Sequence, residues 1–351
     1  ASDHPCRPRG RRRVKFCQIG CGRHALGYHG PSQAKYAAST PAFERAACCD
    51  PDAGRAGAYR ERFGFARAYT DLEAMLDRER PDAVALAVPP ERSCELGCAV
   101  LGRGVPALLE KPPGLVAAEV DRLIAAAGRP GGAAVPHLVA FNRRFVPLVR
   151  ELDRRLRELG GPEAIDHVRY EMTRHGRDDP DFSTTAIHGV DLVRFLARAD
   201  YDEVGFRYRA HPSRGPGVAD LLLDARLASG ATASLGFFPQ GGAVLERVTV
   251  HAEGHTFLLR IPMWNGFDAP GRLEHLYAGA LVESAAGGDA AEFELGGFYG
   301  EYLAFFEALA AGRPPEPGLV ATRQSVEVAE AMRGRAGAYR RGGAGRGPVR
   351  A

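Results

Sequence analysis

The 351-residue chain has no run of about 18 apolar residues, so no segment reads as a membrane-spanning helix. It has no cysteine beyond Cys98: all seven, Cys6, Cys17, Cys21, Cys48, Cys49, Cys94 and Cys98, lie in the first third. Cys17, Cys48 and Cys49 sit in apolar, strand-like runs, and Cys94 and Cys98 are four apart with no histidine close by. Neither pattern makes a zinc framework or a secreted disulfide scaffold, which leaves reduced, buried thiols in a cytoplasmic protein as the expectation. An excess of one charge is also missing. With 46 basic and 43 acidic residues the formal charge is +3, too little for a global field that would draw nucleic acid or a membrane surface. Small molecules are the expected partners. The one basic cluster, Arg7, Arg9, Arg11, Arg12 and Arg13, reads as a solvated tail. A twin-arginine signal needs a long apolar region, whereas Val14 to Ile19 is a short strand running into glycines. No internal repeat is found.

What the chain does have is length for two domains and an alternation of short apolar runs with amphipathic stretches. Strands are expected at 14–19, 45–49, 66–69, 83–88, 107–109 and 134–141. Pro89-Pro90 and Pro112-Pro113 introduce helices at 91–101 and 115–127, because proline suits a first helical turn. This is the texture of a parallel sheet with crossover helices. After Phe145 come a helix at 148–159, a strand at 164–172 and a helix at 186–197. Strands at 203–210, 218–227, 231–238, 245–252 and 256–261 then follow, with turns such as Ser229-Gly230 and Glu253-Gly254, the pattern of a largely antiparallel sheet. Helices close the chain at 300–311 and 320–338. The expected fold is α/β: a Rossmann dinucleotide-binding domain over 14–141, with a C-terminal helix at about 319–338 packed back on it. An α+β domain with a largely antiparallel open sheet follows over 142–318. Residues 1–13 and 340–351 read as disordered tails.

The first strand feeds Gly20-Cys21-Gly22-Arg23-His24-Ala25, a G-x-G-x-x-A turn. Gly20 permits the tight turn, Gly22 lets backbone approach a pyrophosphate, and Ala25 lets the helix pack closely, its N-terminal N–H groups facing phosphate. Asp50 ends the second strand, where a carboxylate would meet the adenosine ribose; it also precedes Pro51 as an ordinary turn aspartate. NAD is the expected coenzyme because Asp50 repels a 2′-phosphate, and Arg55 keeps NADP open.

The fifth strand ends in Glu110-Lys111-Pro112, placing a lysine at the carboxyl edge of the sheet. Together with the glycine turn, with Val88-Pro89-Pro90 and with Phe141-Asn142-Arg143-Arg144-Phe145, this resembles the Gfo/Idh/MocA oxidoreductases, named for glucose–fructose oxidoreductase and inositol dehydrogenase, from about Val14 to Ala338. The resemblance implies that Lys111 hydrogen-bonds the reacting oxygen and assists proton transfer. It implies that His188, in Thr184-Thr185-Ala186-Ile187-His188-Gly189-Val190-Asp191, faces substrate as acid or base. Dehydrogenases of this kind often carry an aspartate four residues before that histidine, where this chain has Thr184. His188 then works with Lys111 alone, or Asp181 or Tyr170 enters the site. Asp191 reads either as part of the His-x-x-Asp spacing or as a partner of Arg194.

The site expected from these readings has Lys111 and His188 as catalytic residues. Gly20, Cys21, Gly22, Arg23, His24, Ala25, Asp50, Val88, Pro89, Glu110 and Lys111 are placed at the coenzyme, and Lys111, Asn142, Arg144, Thr184 and His188 at the substrate, with no metal. The activity implied is interconversion of a secondary alcohol and a ketone on a sugar, cyclitol or related polyol, by a homodimer or tetramer. A non-catalytic NAD(P)-binding regulator of the same fold, and an imine or C=C reductase, are the alternatives.

Overall fold

The computed structural model describes residues 13–264 and 266–342. The expectations for residues 1–12 and 343–351, the basic tail and Cys6 among them, lie outside the described residues.

The first sheet consists of β1 (Val14–Ile19), β2 (Phe43–Cys49), β3 (Arg67–Tyr69), β4 (Ala83–Leu86), β5 (Ala107–Glu110) and β6 (His137–Ala140). Its order is β3-β2-β1-β4-β5-β6, and every pair is parallel. β4 and β5 are buried at every position, as strands covered on both faces must be. The crossovers carry α1 (Gly30–Ser39), α2 (Ala53–Phe63), α3 (Leu72–Glu79), α4 (Pro90–Gly102) and α5 (Ala117–Ala127). Local chemistry fixes their ends. The Asp52 carboxylate accepts from the Gly54 and Arg55 N–H groups to start α2, and Gly64, at φ 66°, ends it. The strand order reverses between β1 and β4, which opens a crevice at the carboxyl edge.

The second half contributes α6 (Pro147–Leu159), β7 (His167–Thr173), α7 (Ser183–Ala197), β8 (Tyr201–Ala210), β9 (Ala219–Leu227), β10 (Thr232–Phe238), β11 (Leu245–Ala252), β12 (His255–Ile261), β13 (Arg272–Tyr277) and β14 (Ala280–Ala286). The short α8 (Glu292–Leu295), then α9 (Phe298–Ala310), α10 (Leu319–Arg333) and β15 (Ala338–Arg340), complete the chain. The sheet order is β14-β13-β12-β11-β7-β10-β9-β8-β15, antiparallel except where β7 meets β10. α6 and α7 cover one face. The other carries Arg169, Arg247, Leu258 and Arg260 outward, in alternation with buried Val168, Val248, Leu259 and Ile261.

Two expectations are corrected. The last helix ends at Arg333 rather than 338, because Gly334 and Arg335, the latter at φ 52°, turn the chain. Residues 338–340, placed partly in that helix and partly in a tail, instead pair with β8. The packing of the closing helices against the first sheet's layer is present. Arg323 of α10 makes a bidentate pair with Asp121 of α5 at 2.6 and 2.9 Å, and α9 lies on α1 and β6. All six described cysteines are free thiols, five of them buried. No helix among the described residues is long and apolar enough to cross a membrane.

Candidate active site

The turn after β1 has the geometry that its glycines require. Gly20 adopts φ +83°, and a Cβ there would lie 2.1 Å from the Ala87 carbonyl oxygen, so any side chain collides with β4's continuation. A Cβ on Gly22 would meet no protein atom within 4 Å. Gly22 borders a cleft of about 430 Å³, together with Gly20, Asp50, Arg55, Val88 and Pro89. The space in front of Gly22 is therefore free for a ligand's pyrophosphate, beside a helix that starts at Arg23. Cys21 and Ala25 are buried beneath the turn, while Arg23 is exposed. Asp50 is 5 % exposed. It accepts from the Cys21 N–H at 2.9 Å and the Asp52 N–H at 3.0 Å, tying β2 to the turn. A carboxylate retains further lone pairs for ribose hydroxyls. Arg55 lies 4.0 Å from Asp50 and is largely exposed.

Residues 25–29 form one π turn, in which the Gly30 N–H bonds the Ala25 carbonyl. Widening the helix to i→i+5 stacks His24 and His29 on one side. Both Nε2 atoms then meet the same oxygen of Glu110, at 2.9 and 3.0 Å. His29 Nδ1 lies 2.8 Å from the Tyr302 hydroxyl on α9, which also accepts from Gln33. Burial pushes Glu110 up, but the histidines outweigh it and hold the carboxyl well below its ordinary range. His29 is pushed down, chiefly by burial. These three side chains could hold a metal ion, since their ligand atoms lie within 4.8 Å of one another. In the structure those atoms are already engaged by one another through hydrogen bonds.

Lys111 follows directly. Its Nζ donates to the Thr184 carbonyl at 3.2 Å, and no carboxylate among the described residues pairs with it. Burial draws its pKa from 10.5 to about 8, against the pull of Glu110 and with help from Arg143, Arg177 and Arg174. His188, on α7 and 7 % exposed, has an Nδ1 with no hydrogen-bond partner. Burial first, then Arg143 and Lys111, push it well below 6.5, so the imidazole is neutral at physiological pH. Lys111 and His188 line one cavity of about 150 Å³ together with His24, Glu110, Asn142 and Arg143. Arg174, Arg177, Thr185, Trp264 and Phe298 complete its wall.

The structure thus brings Lys111, His188, Glu110, His24 and Asn142 together. It does not bring in Arg144, which makes a bidentate pair with Asp191, both contacts 2.6 Å. Asp191 also accepts from Ser325, while Arg194 pairs with Asp200 instead. Thr184 offers only its carbonyl to Lys111, and its neighbour Thr185 lines the cavity. Neither carboxylate substitute arrives. Asp181 is held by Arg333 at 2.7 Å, and the Tyr170 hydroxyl donates to Glu246 at 3.0 Å. Sequence reasoning missed Arg174, Arg177, Trp264 and Phe298, and of the run Asn142-Arg143-Arg144 it took Asn142 and Arg144 where the cavity is lined by Asn142 and Arg143. Of the missed residues, only Arg174 and Arg177 carry a signal that could have been read, the basic run Arg174-His175-Gly176-Arg177 after β7.

A cleft of about 430 Å³ thus opens at the switch point of the parallel sheet, and a second cavity holds a buried lysine and a neutral histidine. Residues 14–135 match the GFO_IDH_MocA family model, described as an oxidoreductase family with an NAD-binding Rossmann fold. It is 31% identical over 163 residues to D-apiose dehydrogenase of Paraburkholderia graminis, a match covering 44% of this chain and 43% of that enzyme. Over 157 residues it is 33% identical to inositol 2-dehydrogenase 2 of Saccharopolyspora erythraea, covering 43% and 45% of the two chains. The matched stretch is thus less than half the length of these curated relatives. A solved levoglucosan dehydrogenase in complex with NADH superposes with a TM-score of 0.75 at 19% identity, covering 92% of this chain and 96% of that one. A dehydrogenase from Chromobacterium violaceum gives 0.77 at 23% identity, covering 91% and 94%. At these identities the likeness to the solved structures is one of fold.

Proposed function

We propose that the protein is an NAD-dependent dehydrogenase that interconverts a secondary alcohol and a ketone on a sugar, cyclitol or related polyol. NADP is the second coenzyme to test, because of Arg55. The observation that carries this reading is the meeting of Lys111 and His188 in one cavity, at the end of the strand beside the cleft. Its support from relatives is that the curated matches are apiose and inositol dehydrogenases. In the reading, residues 14–141 and α10 form the coenzyme-binding unit and 142–318 the substrate unit. The protein acts in the cytoplasm as a dimer or tetramer joined through the outward face of the second sheet.

Bound in the cleft, the dinucleotide would supply the hydride donor or acceptor that no side chain provides. The chain's own work is binding, orientation and proton handling. Asp50 orients the adenosine ribose and the bare Gly22 backbone admits the pyrophosphate. Lys111 takes the hydroxyl proton when its amine is neutral, and returns it to the oxygen in the reverse direction. His188, neutral and with a free Nδ1, fixes the reacting hydroxyl or its neighbour by hydrogen bonding. The hydride and proton steps then share one geometry, which is where most of the acceleration comes from.

The test is reduction of NAD and NADP, followed by nicotinamide absorbance, with apiose, inositol and levoglucosan as first substrates, in the wild type and in Lys111→Met. Turnover abolished by the substitution supports the dehydrogenase. The regulator reading is favoured by Thr184 standing where dehydrogenases often carry an aspartate, and tight coenzyme binding without turnover of any polyol would select it.

A further inference from the structure

The cavity around Lys111 is cationic beyond what a neutral polyol calls for. Of the side chains lining it, Lys111, Arg143, Arg174 and Arg177 carry positive charge, and Glu110 is the only carboxylate. Glu110 is taken up by His24 and His29. Arg143 and Arg174 share a single buried carboxylate behind the wall, Glu246, which Arg143 holds at 2.7 and 3.0 Å. Arg177 gives its Nε to Asp179 at 2.7 Å, and its two Nη atoms carry no hydrogen bond among the described residues. Lys111 has only a backbone carbonyl. Thr184 adds no charge of its own beside it.

Four cations therefore line one small, partly open cavity with three carboxylates beside them, Glu110, Glu246 and Asp179, which leaves a positive charge for a ligand to complete. Coenzyme phosphates are not that ligand. They belong at the Gly20–Ala25 turn, whereas Arg174 and Arg177 come from the end of β7, on the second sheet. Guanidinium groups match planar or tetrahedral oxyanions in geometry as well as in charge.

We propose that the substrate is an anionic polyol, one bearing a carboxylate or a phosphate ester, which Arg177 binds, with the charge of buried Arg174 behind it, while Lys111 and His188 face the hydroxyl to be oxidised. This rests on the dehydrogenase reading and narrows its substrate class. Arg177 is the specificity-determining residue, since its free Nη atoms are available without breaking the buried Glu246 pairs.

The experiment compares D-glucose with D-glucuronate and with D-glucose 6-phosphate, which differ in the charged group. Binding is measured by calorimetry to the full chain, with and without saturating NADH. The expected result is that at least one anion binds about ten-fold or more tighter than glucose, the scale of a hydrogen bond to a charged group. Whichever anion is preferred identifies the source of the charge. Arg177→Gln, a change at a half-exposed side chain, should cut that advantage several-fold, and added salt should shrink it. Glucose binding as tightly as both anions, no binding of either anion, or an advantage untouched by Arg177→Gln would each overturn the proposal. Failure of NADH to bind would bring down the dehydrogenase reading, whereas the titration without NADH still reports on the cavity.

Discussion

Lys111 should give alcohol oxidation a pH profile set by its surroundings. Its pKa of about 8 follows from burial and from three neighbouring guanidinium groups. If the neutral amine takes the hydroxyl proton, the active fraction is about 9% at pH 7 and about 91% at pH 9 for a single site near 8, a rise of about ten-fold. Then it levels off. A lysine at the ordinary 10.5 would keep gaining activity beyond pH 10. Ketone reduction, which uses the ammonium form, should fall through the same midpoint. His188 is held neutral and adds no break near 6.5. The assay is kcat/KM for oxidation from pH 6 to 10 with coenzyme saturating. Lys111→Met should lower it by about 10²–10⁴, the usual range for a positioned acid or base, and flatten the profile. Arg177→Gln removes one of the cations that depress the lysine and should move the midpoint upward. The reasoning is refuted by an unbroken rise to pH 10, or by the same midpoint in Lys111→Met.

Gly22→Val should leave the thermal midpoint almost unchanged, because a Cβ at that position meets no protein atom within 4 Å, yet abolish NADH binding by filling the pyrophosphate space. Gly20→Val should instead destabilise the fold, and equal melting losses in the two variants would contradict the assignment of their roles. Glu301 is buried with neither carboxyl oxygen hydrogen-bonded, and burial, then Glu110, push its pKa well above 4.5. Between those values the unfolded chain releases a proton that the folded chain keeps, so stability falls as pH rises above 4.5. Glu301→Gln should therefore melt higher than wild type at pH 7 and alike at pH 4; a lower midpoint at pH 7 would refute the neutral carboxyl. Removing Glu246 strands Arg143 and Arg174 in the interior. Glu246→Ala should cost about 3–5 kcal/mol in denaturant unfolding, and a loss below about 1 kcal/mol would show that the triad is not needed for the fold.

The nucleotide half was legible because its strands are short, continuously apolar and joined by glycine and proline punctuation at places where geometry demands them. Gly20 is an example: its φ and its contact with Ala87 leave no alternative residue. β13 and β14 escaped notice because β14 is exposed along almost its whole length at the sheet edge, so no burial alternation marks it. β15 is three residues long and gives no period at all. In the site, Lys111 and His188 stood out by motif. The choice between Arg143 and Arg144 could not be made from sequence. The 3₁₀ turn at Asn142–Phe145 sends successive side chains about a third of a turn apart, one to Glu246 and the cavity, the other to Asp191. His29 was hidden for a related reason: an i, i+5 pair meets only across a π turn, which α-helical periodicity does not flag.

The chain's single tryptophan, Trp264, lines the Lys111 cavity, so its emission reports directly on whether a reduced nicotinamide arrives there. Titration with NADH, exciting the indole, is the most direct test that the cleft and the cavity are one coenzyme-and-substrate site. The account predicts saturable quenching of Trp264 with matching sensitised nicotinamide emission, both lost in Gly22→Val. NADH that leaves Trp264 emission unchanged at saturation would contradict it.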